Sequence, residues 1–339
     1  MLQQRGHQVT SLVRQSSNTS FLHSIGARLA VADLETQPER LPALVAGHDQ
    51  VFHLAAATRA IRSRDMITTN VTMVRHLYRA CLAQDIPPQV LVVSSLAASG
   101  PSRRGQPLDE RSPLRPVSNY GRSKQQAEDV VRQFADRVPT TILRPPIVFG
   151  DRDPDFFQLY RFIERTGWHL VPTFSTFDFS LIHVDDLVTA MIGLAQSGER
   201  VDPGAPINEG SGVYFAADPQ VVTYSQLGRM IGQALQQRRT RVLRIARPCL
   251  WAFAMMNELK ARLRQHAELL NIDKYREAVG GSWACSGNKL TQHTGFQVAY
   301  PLAKRLRQTA QELRHRGWLP PSKQPPRPQA PRNPLSDPF

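Results

Sequence analysis

Cysteine is scarce. Cys81, Cys249 and Cys285 are the three thiols in 339 residues, and no two stand at a Cys-x-x-Cys spacing. That excludes a disulfide framework and a thiolate metal site, and makes a reducing, cytoplasmic location the expectation. Long apolar runs are missing too. The longest strongly apolar stretch, 249–256, falls well short of the roughly 20 residues a membrane span needs, and no signal peptide is read at the start. Internal repeats, zinc-finger spacings and RNA-binding signatures are also lacking. Their absence matters because the formal net charge is +14. A basic balance of that size can serve nucleic acid or a membrane surface. Here the arginines are spread out, with modest density only in 237–247 and 304–315. The expectation is a solvated basic surface, a pocket for a phosphorylated small molecule, no nucleic-acid partner and no membrane span.

What is present is ordinary globular composition, 41% apolar and 21% charged, with length for one large domain or two modest ones. Residues 1–7 read as the last turn of a helix closed by Gly6. Strands are predicted over 8–13, 25–32, 50–56, 90–95 and 140–148, with helices over 38–46, 65–83 and 123–136. Several of these strands are apolar on both faces, which argues for a parallel sheet covered by helices on both sides. Beyond Gly150 the pattern loosens. Helices are predicted over 155–166, 184–196, 223–236, 248–270 and 302–317, and strands over 179–183, 213–217 and 241–245. This half reads as a smaller α+β lobe over 151–318 that takes the substrate, with 179–200 packing back on the first domain, 1–150. The end of the chain, 319–339, is proline-rich and basic and is expected to be disordered.

The chemistry centres on Asn119-Tyr120-Gly121-Arg122-Ser123-Lys124. Tyr120 and Lys124 are four residues apart and share one face of a helix. A phenol titrates near pH ~10 in water, and a nearby ammonium favours its anion. A tyrosine tuned that way can take a proton from an alcohol or give one to a carbonyl. The plainer reading is an amphipathic pair with both tips in water. Ser94-Ser95 closes an apolar strand, and parallel sheets bind ligands beyond the carboxyl ends of their strands. Ser95 is therefore placed to hydrogen-bond a substrate oxygen, although a serine that merely ends a strand is the commoner case.

Taken together, these segments resemble the extended short-chain dehydrogenase/reductase family, which includes nucleotide-sugar epimerases, dehydratases and hydroxysteroid-dehydrogenase-like reductases. His53-Leu54-Ala55-Ala56, Asn70-Val71, the serine–glycine spacing of Ser95 and Gly100, and Pro116-x-Ser118-x-Tyr120-Gly121-x-Ser123-Lys124 follow in the family's order. So do Leu143-Arg144-Pro145-Pro146-x-Val148-Phe149-Gly150, 182–187, Cys285-x-x-x-Lys289 and Gly295-Phe296. The likeness runs from about residue 5 to 318. It implies a Rossmann-like doubly wound fold, with Tyr120 as general acid/base, Lys124 lowering its pKa and holding the nicotinamide ribose, and Ser95 orienting the substrate oxygen. Asp33 and Leu34 would flank adenine, while Leu54, Ala55, Ala56, Asn70 and Pro146 would line the cofactor. Arg14 follows Val13, where NAD-preferring members usually carry an acid. An arginine there suits a 2′-phosphate, so NADP is expected over NAD. A homodimer paired through the Tyr120 helix is the default expectation.

One departure stands out. The family's Gly-x-x-Gly-x-x-Gly loop, the strand before it and most of its helix have no counterpart here. Those glycines let backbone approach a pyrophosphate at a helix N-terminus. The expectation is an N-terminally truncated chain, either because its start is placed at an internal Met of a complete enzyme or because the truncation is real; as written it is expected to be impaired in cofactor binding, with neighbouring strands that expose edges. The leading function is NAD(P)-dependent redox chemistry at a secondary alcohol or ketone of a small-molecule substrate. Nucleotide-sugar epimerisation or dehydration is second, and a non-catalytic binding protein third. No acid follows Ser95 closely, which counts against dehydration. Leu96, Ala97, Ala98, Phe156, Phe157 and Tyr160 favour a hydrophobic substrate, although Arg262 and Arg264 could meet a diphosphate.

Overall fold

The computed structural model describes residues 1–58, 63–264 and 271–321. In chain order the elements are β1 (Thr10–Val13), α1 (Ser20–Ser24), β2 (Arg28–Val31), α2 (Leu41–Val45), β3 (Gln50–His53), α3 (Ser63–Leu82), β4 (Gln89–Val93) and α4 (Leu96–Ser99). They continue with α5 (Asn119–Arg132), β5 (Thr140–Arg144), β6 (Ile147–Phe149), α6 (Pro154–Thr166), β7 (Trp168–Pro172), β8 (Asp178–Phe179), β9 (Leu181–His183) and α7 (Val184–Ser197). The remainder is β10 (Val213–Phe215), β11 (Val222–Thr223), α8 (Tyr224–Ala234), β12 (Arg241–Ile245), α9 (Arg247–Arg264), α10 (Ile272–Gly280), α11 (Asn288–Thr294) and α12 (Leu302–His315). Residues 322–339 of the expected tail, and 265–270 of the helix expected over 248–270, lie outside the described residues. Leu319, at the start of that tail, is buried.

Two units divide the chain. The first comprises Met1–Phe149, Pro172–Tyr224 and Arg244–Ala299, the second Gly150–Val171, Ser225–Leu243 and Tyr300–Phe339. The first is an α/β unit built on a parallel sheet in the order β10-β5-β4-β3. Its strands show why an apolar run on both faces is needed. Val90 and Val92 of β4, with Ile142 and Val213, pack against Val74, Leu77 and Tyr78 of α3 and Ala127, Val130 and Val131 of α5. The alternate residues Leu91, Leu143 and Tyr214 face Leu187, Ala190, Met191 and Leu194 of α7 and Leu290 of α11. Period-two alternation thus serves two helical layers. Each buried aliphatic side chain contributes roughly 1.5–3 kcal/mol. The strand expected over 213–217 joins this sheet as β10, next to β5, although it lies far along the chain.

A parallel pair, β1 with β2, forms a separate sheet. Among the described residues, neither β1 nor β2 pairs with β3, and neither contains a buried residue. Leu12 and Val31 are each 39% exposed, unusual for strands of a doubly wound sheet. Gly6, with φ 84°, closes a short 3-10 turn ahead of β1, as the sequence reading expected. In the second unit, Tyr160 of α6 is fully buried and donates to the Leu306 carbonyl of α12 at 2.9 Å. His169 of β7 packs against Gly228 of α8.

Candidate active site

Parallel strands deliver side chains to their carboxyl ends, and most of the expected site lies there. Arg14 follows β1, Asp33 and Leu34 follow β2, Leu54, Ala55 and Ala56 follow β3, Ser95 follows β4 and Pro146 follows β5. Tyr120 and Lys124 come from α5. This helix starts at Asn119, four residues earlier than the sequence reading placed it, so Tyr120 sits in its first turn. The reason is capping. The Ser118 hydroxyl accepts the Gly121 N–H at 2.9 Å. The Asp273 carboxylate at the start of α10 accepts the N–H groups of Asn119 and Tyr120 at 2.6 and 3.1 Å. Three of the four orphan donors of a helix N-terminus are thereby satisfied.

Ser95 is the N-cap of α4, its hydroxyl accepting the Ala97 N–H at 3.1 Å. The turn of α4 lies directly on α5. A Cβ built on Gly121 would stand 2.3 Å from the Ala97 carbonyl oxygen, so only glycine permits that approach. Gly100, with φ 90°, closes α4 where a side chain would strike the Arg115 carbonyl. Ser95 and Tyr120 are brought together by these two contacts.

Burial drives the Tyr120 phenol up to about 12; the neighbouring Ser95 hydroxyl opposes the shift and Glu277 adds to it, so the phenol stands above its ordinary value and not below it as the Tyr120–Lys124 spacing and the resemblance implied. Lys274 lies over the ring, its Nζ 5.7 Å from the centroid. Lys124 is buried and donates to the Val93 carbonyl at the end of β4 at 2.8 Å. Burial pulls its ammonium down to about 8, against the pull of the Glu128 carboxylate one turn further along α5. That carboxylate belongs to a network the sequence reading missed. Arg144, at the end of β5, donates through Nε at 2.9 Å and Nη2 at 2.5 Å to Glu128, and through Nη1 to the Ser99 hydroxyl at 3.2 Å. Ser94 donates to the same carboxylate. Burial alone would raise Glu128, but the Arg144 charge and the hydrogen bonds from Arg144 and Ser94 hold it below its ordinary value.

A small cavity beside Lys124 is lined by His53, Ala55, Asn70, Ser94 and Glu128. Burial, and then the charge of Lys124, push His53 down to about 3, so it is neutral at physiological pH. Asn70 is fully engaged. Its amide donates to the Ala57 carbonyl and the Ser123 hydroxyl at 3.1 and 2.9 Å and accepts the Ala57 N–H at 2.7 Å. It clips the segment after β3 to α5. Asp33 turns inward on its own loop, accepting the N–H groups of Glu35 and Thr36, and the Leu34 carbonyl meets His76 at 2.8 Å. Leu54 is 61% exposed, available to a ligand rather than to the core. Arg14 is exposed.

The nicotinamide half of a dinucleotide suits this arrangement. The Ser95 hydroxyl meets the Tyr120 phenol just past β4, the Lys124 ammonium is buried at the end of the same strand, and Ala55 brings a small side chain to the cavity edge. The pyrophosphate half has less. Among the described residues no glycine-rich turn links a strand to a helix N-terminus, and the turn after β1 is Arg14-Gln15-Ser16-Ser17.

The model of the NAD dependent epimerase/dehydratase family matches residues 1–210. The chain is 33% identical over 129 residues to an N-acetyl-alpha-D-glucosaminyl-diphospho-ditrans,octacis-undecaprenol 4-epimerase of Escherichia coli O157:H7, covering 36% of this chain and 38% of that protein. It therefore spans well under half the length of that relative. Against a 4-hydroxy-2-methyl-3-oxo-4-farnesyl-3,4-dihydroquinoline-1-oxide ketoreductase of Stigmatella aurantiaca, identity is 28% over 282 residues, covering 76% of this chain and 84% of the other. The dTDP-glucose 4,6-dehydratase of Bacillus anthracis, solved with NAD, superposes with a TM-score of 0.71 at 15% identity, covering 93% and 91% of the two chains. At that identity the likeness is one of fold.

Proposed function

The chain belongs to the NAD dependent epimerase/dehydratase family, and on that premise we propose that it is an oxidoreductase that interconverts a secondary alcohol and a ketone on a small molecule with a large apolar part. The observation that carries this reading is the Ser95 hydroxyl beside the Tyr120 phenol, on a framework fixed by Gly121, with Lys124 one turn further along the same helix. Bound NAD(P) would supply or accept the hydride. Ser95 would orient the substrate oxygen. Tyr120 would hold the proton that this oxygen gains or loses. Lys124 would hold positive charge beside the phenol and meet the nicotinamide ribose. Leu54, Ala55 and Ala56 would lie along the dinucleotide, with Asp33, Leu34, Asn70 and Pro146 shaping its pocket. Arg14 favours NADP over NAD, because its guanidinium suits a 2′-phosphate. One feature supports an apolar substrate: the farnesyl-bearing substrate named for the ketoreductase relative.

Nucleotide-sugar or lipid-diphosphosugar epimerisation is the second reading, favoured by the undecaprenol-linked substrate of the 4-epimerase relative. The two separate cleanly. Purified chain is titrated calorimetrically with NADPH and NADH, then given farnesylated or steroidal ketones and, in parallel, UDP-hexoses. Net oxidation of NADPH with ketone, abolished by Tyr120→Phe, supports the first reading. Epimer formation without net NAD(P)H change replaces it with the second. Lack of dinucleotide binding in a folded sample overturns both for this chain.

A further inference from the structure

Helix α9 carries an exposed apolar face that the catalytic site does not use. Trp251 and Phe253 are each 50% exposed, Met255 43% and Met256 57%. Pro248, Cys249 and Ala252 are exposed beside them, while Leu250 and Ala254 are buried. At 100° per residue the two buried positions occupy one narrow stripe, and the exposed ones span more than half the circumference. Phe174, 67% exposed, lies near the helix start: Arg247 donates to the Ser175 hydroxyl at 3.4 Å and Arg244 donates to the Phe174 carbonyl. Single exposed apolar residues are normal on a protein surface, but a contiguous set with a tryptophan and a phenylalanine marks something that covers it.

The charge around the patch says what. The stretch that carries the patch, 244–257, holds two arginines, Arg244 and Arg247, and neither an acidic residue nor a lysine. Arg247 is exposed at the first position of α9. A second copy of this chain, itself at net charge +14, would bring like charge against this segment. A negatively charged bilayer would neutralise it, while tryptophan and phenylalanine enter the headgroup and acyl boundary. We propose that α9 is a membrane-docking surface that holds the protein reversibly on anionic lipid, through Trp251, Phe253, Met255 and Met256 with Arg244 and Arg247 at the helix start. Among the described residues no helix is long and apolar enough to cross a membrane, so the contact is peripheral. It also reaches toward the site. α9 packs on α10, whose Asp273 caps α5 and whose Lys274 lies over Tyr120. Docking would bring Tyr120 to within two helices of the lipid surface.

The test needs no turnover and stands whether or not the proposed reaction is correct. The full chain is sedimented with extruded vesicles of 70% phosphatidylcholine and 30% phosphatidylglycerol, and with pure phosphatidylcholine vesicles. Binding to the mixed vesicles is expected, weakening about tenfold or more on neutral vesicles as the arginine attraction is lost. The triple variant Trp251→Ser, Phe253→Ser, Met256→Ser should lose binding by about 100-fold or more, since three apolar insertions are removed. Its circular dichroism and melting temperature should match those of the parent, because all three side chains are exposed. No sedimentation of the parent, or equal sedimentation of the folded variant, overturns the proposal. So does a parent dimer in sedimentation equilibrium that the variant dissolves, since a second copy would then be the cover.

Discussion

Gly121 presses on the carbonyl oxygen of Ala97 so closely that a methyl group there would stand 2.3 Å away. This contact sets the distance between the turn that carries Ser95 and the helix that carries Tyr120. In an open helix, Gly→Ala would stabilise by about 1 kcal/mol. Here the sign should reverse. Gly121→Ala is expected to cost about 1–3 kcal/mol in urea unfolding, through overpacking against backbone that cannot retreat. It should lower turnover by about 100-fold, because the hydroxyl and the phenol move apart. Unchanged stability and activity would mean that α4 and α5 slide freely.

Glu128 and Arg144 form a pair with 2% side-chain exposure on each partner. Removing one partner strands the other charge in the interior. Glu128→Gln or Arg144→Met alone should cost about 3–5 kcal/mol, and the double variant Glu128→Leu, Arg144→Met should recover most of that loss. A double-mutant cycle on chemical unfolding reads this directly; additive single losses would count against a coupled pair. The Glu128 pKa is lower folded than unfolded. Its contribution is therefore fully present above the unfolded value of about 4.3 and is lost as pH falls through the folded one.

His53 acts in a different acid window. Its pKa is about 3 in the fold against the imidazole's ordinary 6.5. Above pH ~6.5 the ring is neutral in both states and the effect on stability is nil. As pH falls, the unfolded chain takes the proton first, so stability drops progressively, by up to roughly 4 kcal/mol near pH 3. His53→Leu should flatten the stability profile between pH 6.5 and 4 while leaving the steeper loss below pH ~4.5 that belongs to Glu128. Identical profiles for parent and variant would place the titration elsewhere.

How much of this was legible in the sequence follows from the range of the forces involved. Tyr120 and Lys124 were readable because a four-residue spacing is a local fact. The start of α5 was not, because Asp273 caps it from 153 residues downstream. Glu128 extends the same stripe, Tyr120–Lys124–Glu128, and a carboxylate on the buried face of a helix was a visible signal. Its partner Arg144 was quoted only as part of a motif, since the pairing depends on how β5 meets α5. Strand β10 could be drawn as a strand but not assigned to its sheet, because register with β5 is a long-range choice.

If the proposed reaction holds, the ionisation of Tyr120 and Lys124 would give it a directional pH dependence. With the phenol near 12 and the ammonium near 8, ketone reduction should be insensitive to pH from 6 to about 7.5, since the phenol is fully protonated and can donate. Above pH ~8 the rate should fall as Lys124 loses its charge. Alcohol oxidation needs the phenolate, which is about one part in 10⁵ at pH 7 for a pKa near 12. Its rate should rise about tenfold per pH unit wherever Lys124 remains charged, then bend near pH 8. Tyr120→Phe should reduce both directions by about 10²–10⁴-fold without unfolding the chain. Lys124→Arg is the sharper probe, because a guanidinium stays charged through this range. Whatever reduction activity survives in that variant should remain flat past pH 8, and an unchanged alkaline fall would assign the limb to a group other than Lys124.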